Sequence, residues 1–122
     1  MNLKNESGKI NYIEMPANDL VVIKSFFTAV FGFIFTDYGP EYTAFSAKSA
    51  GLDGGFFQTP LKSNTENGSA LVVLYSDNLT QTLAAVEDAK GIINKPIFEF
   101  PGGRRFHFLD PCGNEWAVWS DT

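Results

Sequence analysis

INYIEMPANDL at residues 10–20 and LVVLYSDNL at residues 71–79 are one local pattern used twice. Each copy is a short apolar run that ends in an Asx pair, Asn18-Asp19 or Asp77-Asn78, followed by a leucine that opens a helical pattern. An offset of 59 residues aligns Leu20 with Leu79, Gly32 with Gly91 and Ile34 with Ile93. A fixed offset over half a chain is the signature of an internal duplication. In the first copy Leu20, Ile23, Phe26, Phe27, Val30 and Phe31 make one apolar stripe, with Asp19 as N-cap and Gly32 just past the end. In the second, Leu79, Leu83, Val86 and Ala89 do the same, Asn78 and Gln81 resemble a capping box, and Gly91 closes the helix.

Three short strands are predicted after each helix: 33–37, 42–47 and 55–58, then 92–100, 104–109 and 115–119. Turn residues separate them, among them Gly102-Gly103 and the run Asp110-Pro111-Cys112-Gly113-Asn114. The reading is an α+β chain of two βαβββ modules, about 8–58 and 69–120, joined by a polar, mobile linker at 59–68. A lone module leaves one sheet face wet, so the modules are expected to pair into a curved mixed sheet, and the chain to form a homodimer.

Composition narrows the function. The 122 residues hold fourteen acidic against nine basic side chains, a net charge of −5, which speaks against nucleic acid as a partner. No apolar run approaches the roughly 20 residues of a membrane span. Residues 1–10 lack a signal-peptide core, so a cytoplasmic location is expected. One Cys (Cys112, read as an inert exposed thiol) and one His (His107) permit neither a disulfide nor a Cys/His zinc site within the chain.

Three segments carry a family resemblance: Tyr12-Ile13-Glu14-Met15-Pro16-Ala17-Asn18-Asp19, then Phe26-Phe27 with Val30-Phe31-Gly32-Phe33, and then 105–115, where F-x-F-x-D-P-x-G-N closes a late hairpin. The chain resembles the vicinal oxygen chelate superfamily, which includes glyoxalase I, bleomycin-resistance proteins, fosfomycin-resistance transferases and extradiol dioxygenases. The resemblance implies a cup whose floor, in metal-dependent members, holds a divalent ion on four side chains. Carried over by position, those are Tyr12, Leu71, Ala117 and Gln58, with Phe56 as the alternative to Gln58. Leu and Ala offer no donor, so no metal and no other cofactor are expected.

Alternation on the strands then places Tyr12 and Glu14, and Glu115, Ala117 and Trp119, toward the cup. The superfamily alignment adds Arg105 and His107, and the resemblance implies substrate contacts at Glu14, Arg105 and His107. The expected ligand-binding set is Tyr12, Glu14, Phe56, Gln58, Leu71, Arg105, His107, Ala117 and Trp119, with Phe35 and Phe45 as further candidates for an apolar wall. The expected function is a metal-free protein of the bleomycin-resistance type, holding a small cationic or aromatic molecule. The alternative is a metal-independent isomerase or lyase with Glu14 and His107 as its acid–base pair, and a metal-dependent glyoxalase or dioxygenase stands third.

Overall fold

A computed structural model describes residues 5–122; the part of the leader reading that rests on residues 1–4 lies outside them. The chain divides into two compact units at Leu61/Lys62. The first unit contains β1 (Tyr12–Ala17), α1 (Leu20–Phe31), β2 (Phe35–Asp37), β3 (Tyr42–Phe45), the short α2 (Ala47–Ala50) and β4 (Asp53–Gln58). The second contains a 3-10 turn (Thr65–Asn67), β5 (Val72–Tyr75), α3 (Leu79–Asp88), β6 (Ile92–Phe100), β7 (Gly103–Leu109) and β8 (Glu115–Ser120). Each builds a four-stranded mixed sheet of the same topology, ordered β1-β4-β3-β2 and β5-β8-β7-β6. In each the first and last strands pair in parallel and the other pairs are antiparallel.

The helix caps form at the expected starts. Asp19 accepts from the Val22 amide and Asn78 from the Gln81 amide, both at 3.1 Å. α1 ends on Gly32 in the left-handed region. α3 ends earlier than Gly91 suggests: Lys90 takes the positive φ of 78°, and Gly91 donates back to the Val86 carbonyl at 2.9 Å. A side chain at that backbone conformation is strained. The run predicted as strand through Ala47 stops at Phe45, because Ser46 accepts from the Ser49 amide and caps α2 instead.

In the first unit an aromatic core lies between α1 and its sheet. Phe27 meets Phe56 at 5.5 Å and Phe33 at 5.2 Å, and Phe45 meets Phe33 and Phe56 at 5.2 and 5.8 Å. In the second unit Phe106, Phe108, Trp116 and Val118 share one buried sheet face by register, with Val86 and Leu79 buried on α3.

The linker is not a free tether. Ser63 donates to Asn114 Oδ1 and accepts from the Glu115 amide at 2.8 Å, while Thr65 binds Glu115. Nor is Cys112 exposed; it is buried in a turn organised by Asp110. One Asp110 oxygen accepts from the Cys112 and Asn114 amides, and the other from Asn114 Nδ2 and Trp116 Nε1, all at 2.9–3.0 Å. Burial pushes the Asp110 carboxyl up from its ordinary pKa, and these four bonds oppose the shift. Gly113, at φ 87°, lets the turn close. Among the described residues no helix is long and apolar enough to cross a membrane.

Candidate functional site

In the first unit the sheet face away from α1 carries Tyr12, Glu14, Tyr42, Ala44, Asp53 and Gly55, as the strand registers require. Tyr42 lies across the sheet and donates to Glu14 Oε2 at 3.0 Å, leaving its phenol oxygen to accept from Tyr12 at 2.5 Å. Burial first, then these two neighbours, push the Tyr42 hydroxyl far above its ordinary pKa, so it stays a proton donor. Gly55 makes the crossing possible, since a Cβ there would collide with the Tyr42 ring and hydroxyl. Asp53 Oδ1 accepts from the Ala47 amide at 2.6 Å and fixes the start of α2. Beside these groups is a hollow of about 450 Å3 whose lining includes Tyr12, Tyr38, Tyr42, Ile34, Thr36 and Asp53.

In the second unit the corresponding face carries Arg105, His107, Leu109, Glu115, Ala117 and Trp119. The Arg105 guanidinium lies over Phe98 at 5.3 Å and Phe100 at 5.7 Å; Trp119 meets Tyr75 at 5.2 Å. His107 and Glu115 form a buried pair, 2% and 4% exposed, with Nδ1 and Oε2 2.8 Å apart. The other Glu115 oxygen accepts from the Thr65 amide at 2.9 Å and the Thr65 hydroxyl at 2.7 Å. Burial alone would raise the Glu115 pKa, but the bonds from His107, Thr65 and Asn94 outweigh it and bring the carboxyl down to about 2.

Phe56 and Gln58 correct the expectation. Phe56 is fully buried against Phe27, on the helix side, and Gln58 is on that side too, its amide donating to the Asn18 carbonyl at 2.6 Å. The reason is parity. The offset between copies is 59 at Leu20/Leu79 but 62 from Asp53 to Glu115, the first residues of the last strand in each module, and an odd slip exchanges the two faces. Phe35 and Phe45 likewise belong to the core. Leu71 is half-buried one residue before β5. Glu14 finds its partner in the first unit, in Tyr42, whereas His107 finds its own in the second, in Glu115. The sequence reading singled out neither Tyr42 nor Thr65. The Gly54-Gly55 pair, which leaves room for a crossing side chain, was the available signal for Tyr42. Thr65 is set in a polar connection and gave none.

The four positions that the resemblance assigns to a metal do not fit one. Leu71 and Ala117 have no donor, Gln58 is on the helix side of β4, and the Tyr12 hydroxyl is engaged by Tyr42. Among the described residues no three His, Cys, Asp or Glu side chains gather into a group able to hold an ion.

Two βαβββ units with these open faces define a glyoxalase-like protein. The sequence pattern of the Glyoxalase/Bleomycin resistance protein/Dioxygenase superfamily matches residues 9–118, and the chain belongs to that superfamily. None of the curated proteins matches it. Solved structures do, in fold. A glyoxalase-related enzyme from Fulvimarina pelagi aligns at 16% identity over 93% of this chain and 88% of its own, with a TM-score of 0.76. The genomically encoded fosfomycin resistance protein FosX from Listeria monocytogenes aligns at 16% over 96% of each chain, at 0.77. TioX from Micromonospora sp. ML1 aligns at 14% over 94% of this chain and all of its own, at 0.70.

Proposed function

We propose that the protein binds a small organic cation with a flat or apolar body, without the divalent ion of the metal-dependent superfamily members. The observation that carries this reading is the hollow of the first module, where Tyr12, Tyr38 and Tyr42 surround an opening that Asp53 also lines. Aromatic faces attract a cation through their quadrupoles, and a carboxylate adds net charge of the right sign. The chain's net charge of −5 favours the same sign of ligand at long range. A fosfomycin resistance protein among the structural relatives supports, by analogy, small molecules as the ligands of this fold. A homodimer is part of the proposal and is checked by light scattering.

Thermal unfolding with benzyltrimethylammonium, benzylamine and uncharged benzyl alcohol tests the reading. At 100 times Kd a cation should stabilise the protein by about 2.7 kcal/mol. Tyr38→Ala and Asp53→Asn should abolish that gain. Equal shifts with the alcohol, or none with any probe, would overturn the cation reading. Stoichiometric nickel, zinc, iron or manganese in protein purified without chelators would overturn its metal-free part.

A further inference from the structure

We propose that the second module holds a gated proton-accepting site at His107 Nε2, which takes a small weak acid with an ionisable O–H or N–H, such as a phenol, enol or imide. It concerns the second module alone and does not rest on the cation reading. Three features lead to it.

The first is the tautomer. Glu115 Oε1 is occupied by the two Thr65 donors, and Oε2 faces His107 Nδ1. An ionised carboxylate only accepts, so Nδ1 carries the hydrogen, and in the neutral ring Nε2 then keeps its lone pair. Glu115 is thus a positioning residue, and Thr65 positions Glu115.

The second is an unmet pair. Nε2 is buried and has no hydrogen-bond partner, and neither has Arg105 Nε. The two residues share one face of β7. Buried polar atoms are nearly always paired, so two orphans on one face of one strand ask for a ligand. In the neutral ring the first is an acceptor, and the second belongs to a permanent cation. Together they can take a proton and hold the anion that remains.

The third is the gate. The Phe98 ring sits 5.9 Å from the imidazole, and the Arg105 guanidinium lies over it. Phe98 is carried by β6, the last strand of its sheet, whose pairing with β7 shifts register between Lys95 and Phe98. An irregular edge strand is the part of a sheet that moves most easily. When Phe98 swings out, a flat acid takes its place.

In the step itself the ligand's O–H bond breaks and an N–H bond forms at Nε2. The electron pair stays on the ligand oxygen, held by Arg105, and the imidazolium faces the Glu115 carboxylate.

The chain has a single histidine, so 15N-histidine NMR reads this site without overlap. In the free protein Nε2 should resonate as an unprotonated nitrogen and Nδ1 as a protonated one. Adding 4-nitrophenol, at a pH where the free phenol is neutral, should raise the phenolate absorption band and shift Nε2 to a protonated value. Phe98→Ala should hasten the onset of the band, while His107→Gln and Glu115→Gln should lose it. A protonated Nε2 in the free protein would overturn the proposal. So would the absence of the band in both wild type and Phe98→Ala, or its survival in His107→Gln.

Discussion

Replacing Glu115 by Gln tests how much of the second module rests on one buried carboxylate. In the folded protein its pKa is down to about 2 from an ordinary 4.5, burial being outweighed by bonds from His107, Thr65 and Asn94. A depressed carboxyl stabilises the folded state above its unfolded pKa, and that contribution is lost as pH falls through the folded value. At about 1.4 kcal/mol per unit, the shift from 4.5 to about 2 corresponds to about 3 kcal/mol at neutral pH. The same substitution removes an acceptor from a site where one Glu115 oxygen serves Thr65 and the other serves His107, and charge-assisted bonds contribute about 1.5–3 kcal/mol each. The two routes agree in size. Urea unfolding followed by tryptophan fluorescence is the assay, since Trp116 and Trp119 are both on β8. Asp110, whose carboxyl burial pushes up, runs the other way with pH but is common to both proteins. The gap between wild type and variant should be about 3 kcal/mol above pH 5 and narrow steadily toward pH 2. A gap that stays flat across that window would refute the ionic account of the pair, and no gap at all would refute the pair as a stabilising contact.

Other substitutions probe the same structure. Asp110→Ala removes the acceptor of four hydrogen bonds in the turn, that of Trp116 Nε1 among them, and should cost about 3 kcal/mol in the same unfolding assay. Gly55→Ala forces Tyr42 off the sheet and should cost about 1–3 kcal/mol, with a loss of tyrosine near-UV circular dichroism. Lys90→Gly removes a side chain from a positive φ and should raise stability by about 1 kcal/mol, measured as a higher urea midpoint at unchanged slope.

Most of the scaffold was legible because duplication repeats its own signals: two Asx caps, two apolar stripes and two sets of turn residues fall at matching places. The open face of β7 and β8 was reached through the family resemblance, which placed Arg105 and His107 directly and, by alternation from Ala117, Glu115 and Trp119; the register carries these residues on one face. The face of β4 was not legible. Asp53-Gly54-Gly55 begins with two residues that carry no hydrophobic signal, so its parity was borrowed from the other copy across an odd slip. The partner of His107 was hidden for a different reason. Pairing across two strands depends on register, and register follows from the turn that Asp110 builds rather than from spacing along either strand. Thr65 was hidden because the Asn114 and Glu115 groups that recruit its segment are about fifty residues away in sequence.

By register, the two modules set different side chains at matching positions of one scaffold. Tyr42 pairs with Phe57 as Arg105 pairs with Trp119, and Ala44 pairs with Gly55 as His107 pairs with Ala117. Asp53 and Glu115 each begin the last strand, and each accepts a backbone N–H from a short helical piece, at Ala47 or Thr65. The acidic anchor is therefore common to both copies. Among the differences is the side chain two positions along the neighbouring strand. With Ala44 there, the first module keeps an open hollow beside its carboxylate. With His107 there, the second fills that room with an imidazole and buries the carboxylate behind it. On a shared frame, the exchange of a methyl for an imidazole is one of the changes that separate the open hollow of the first module from the closed His107–Glu115 pair of the second.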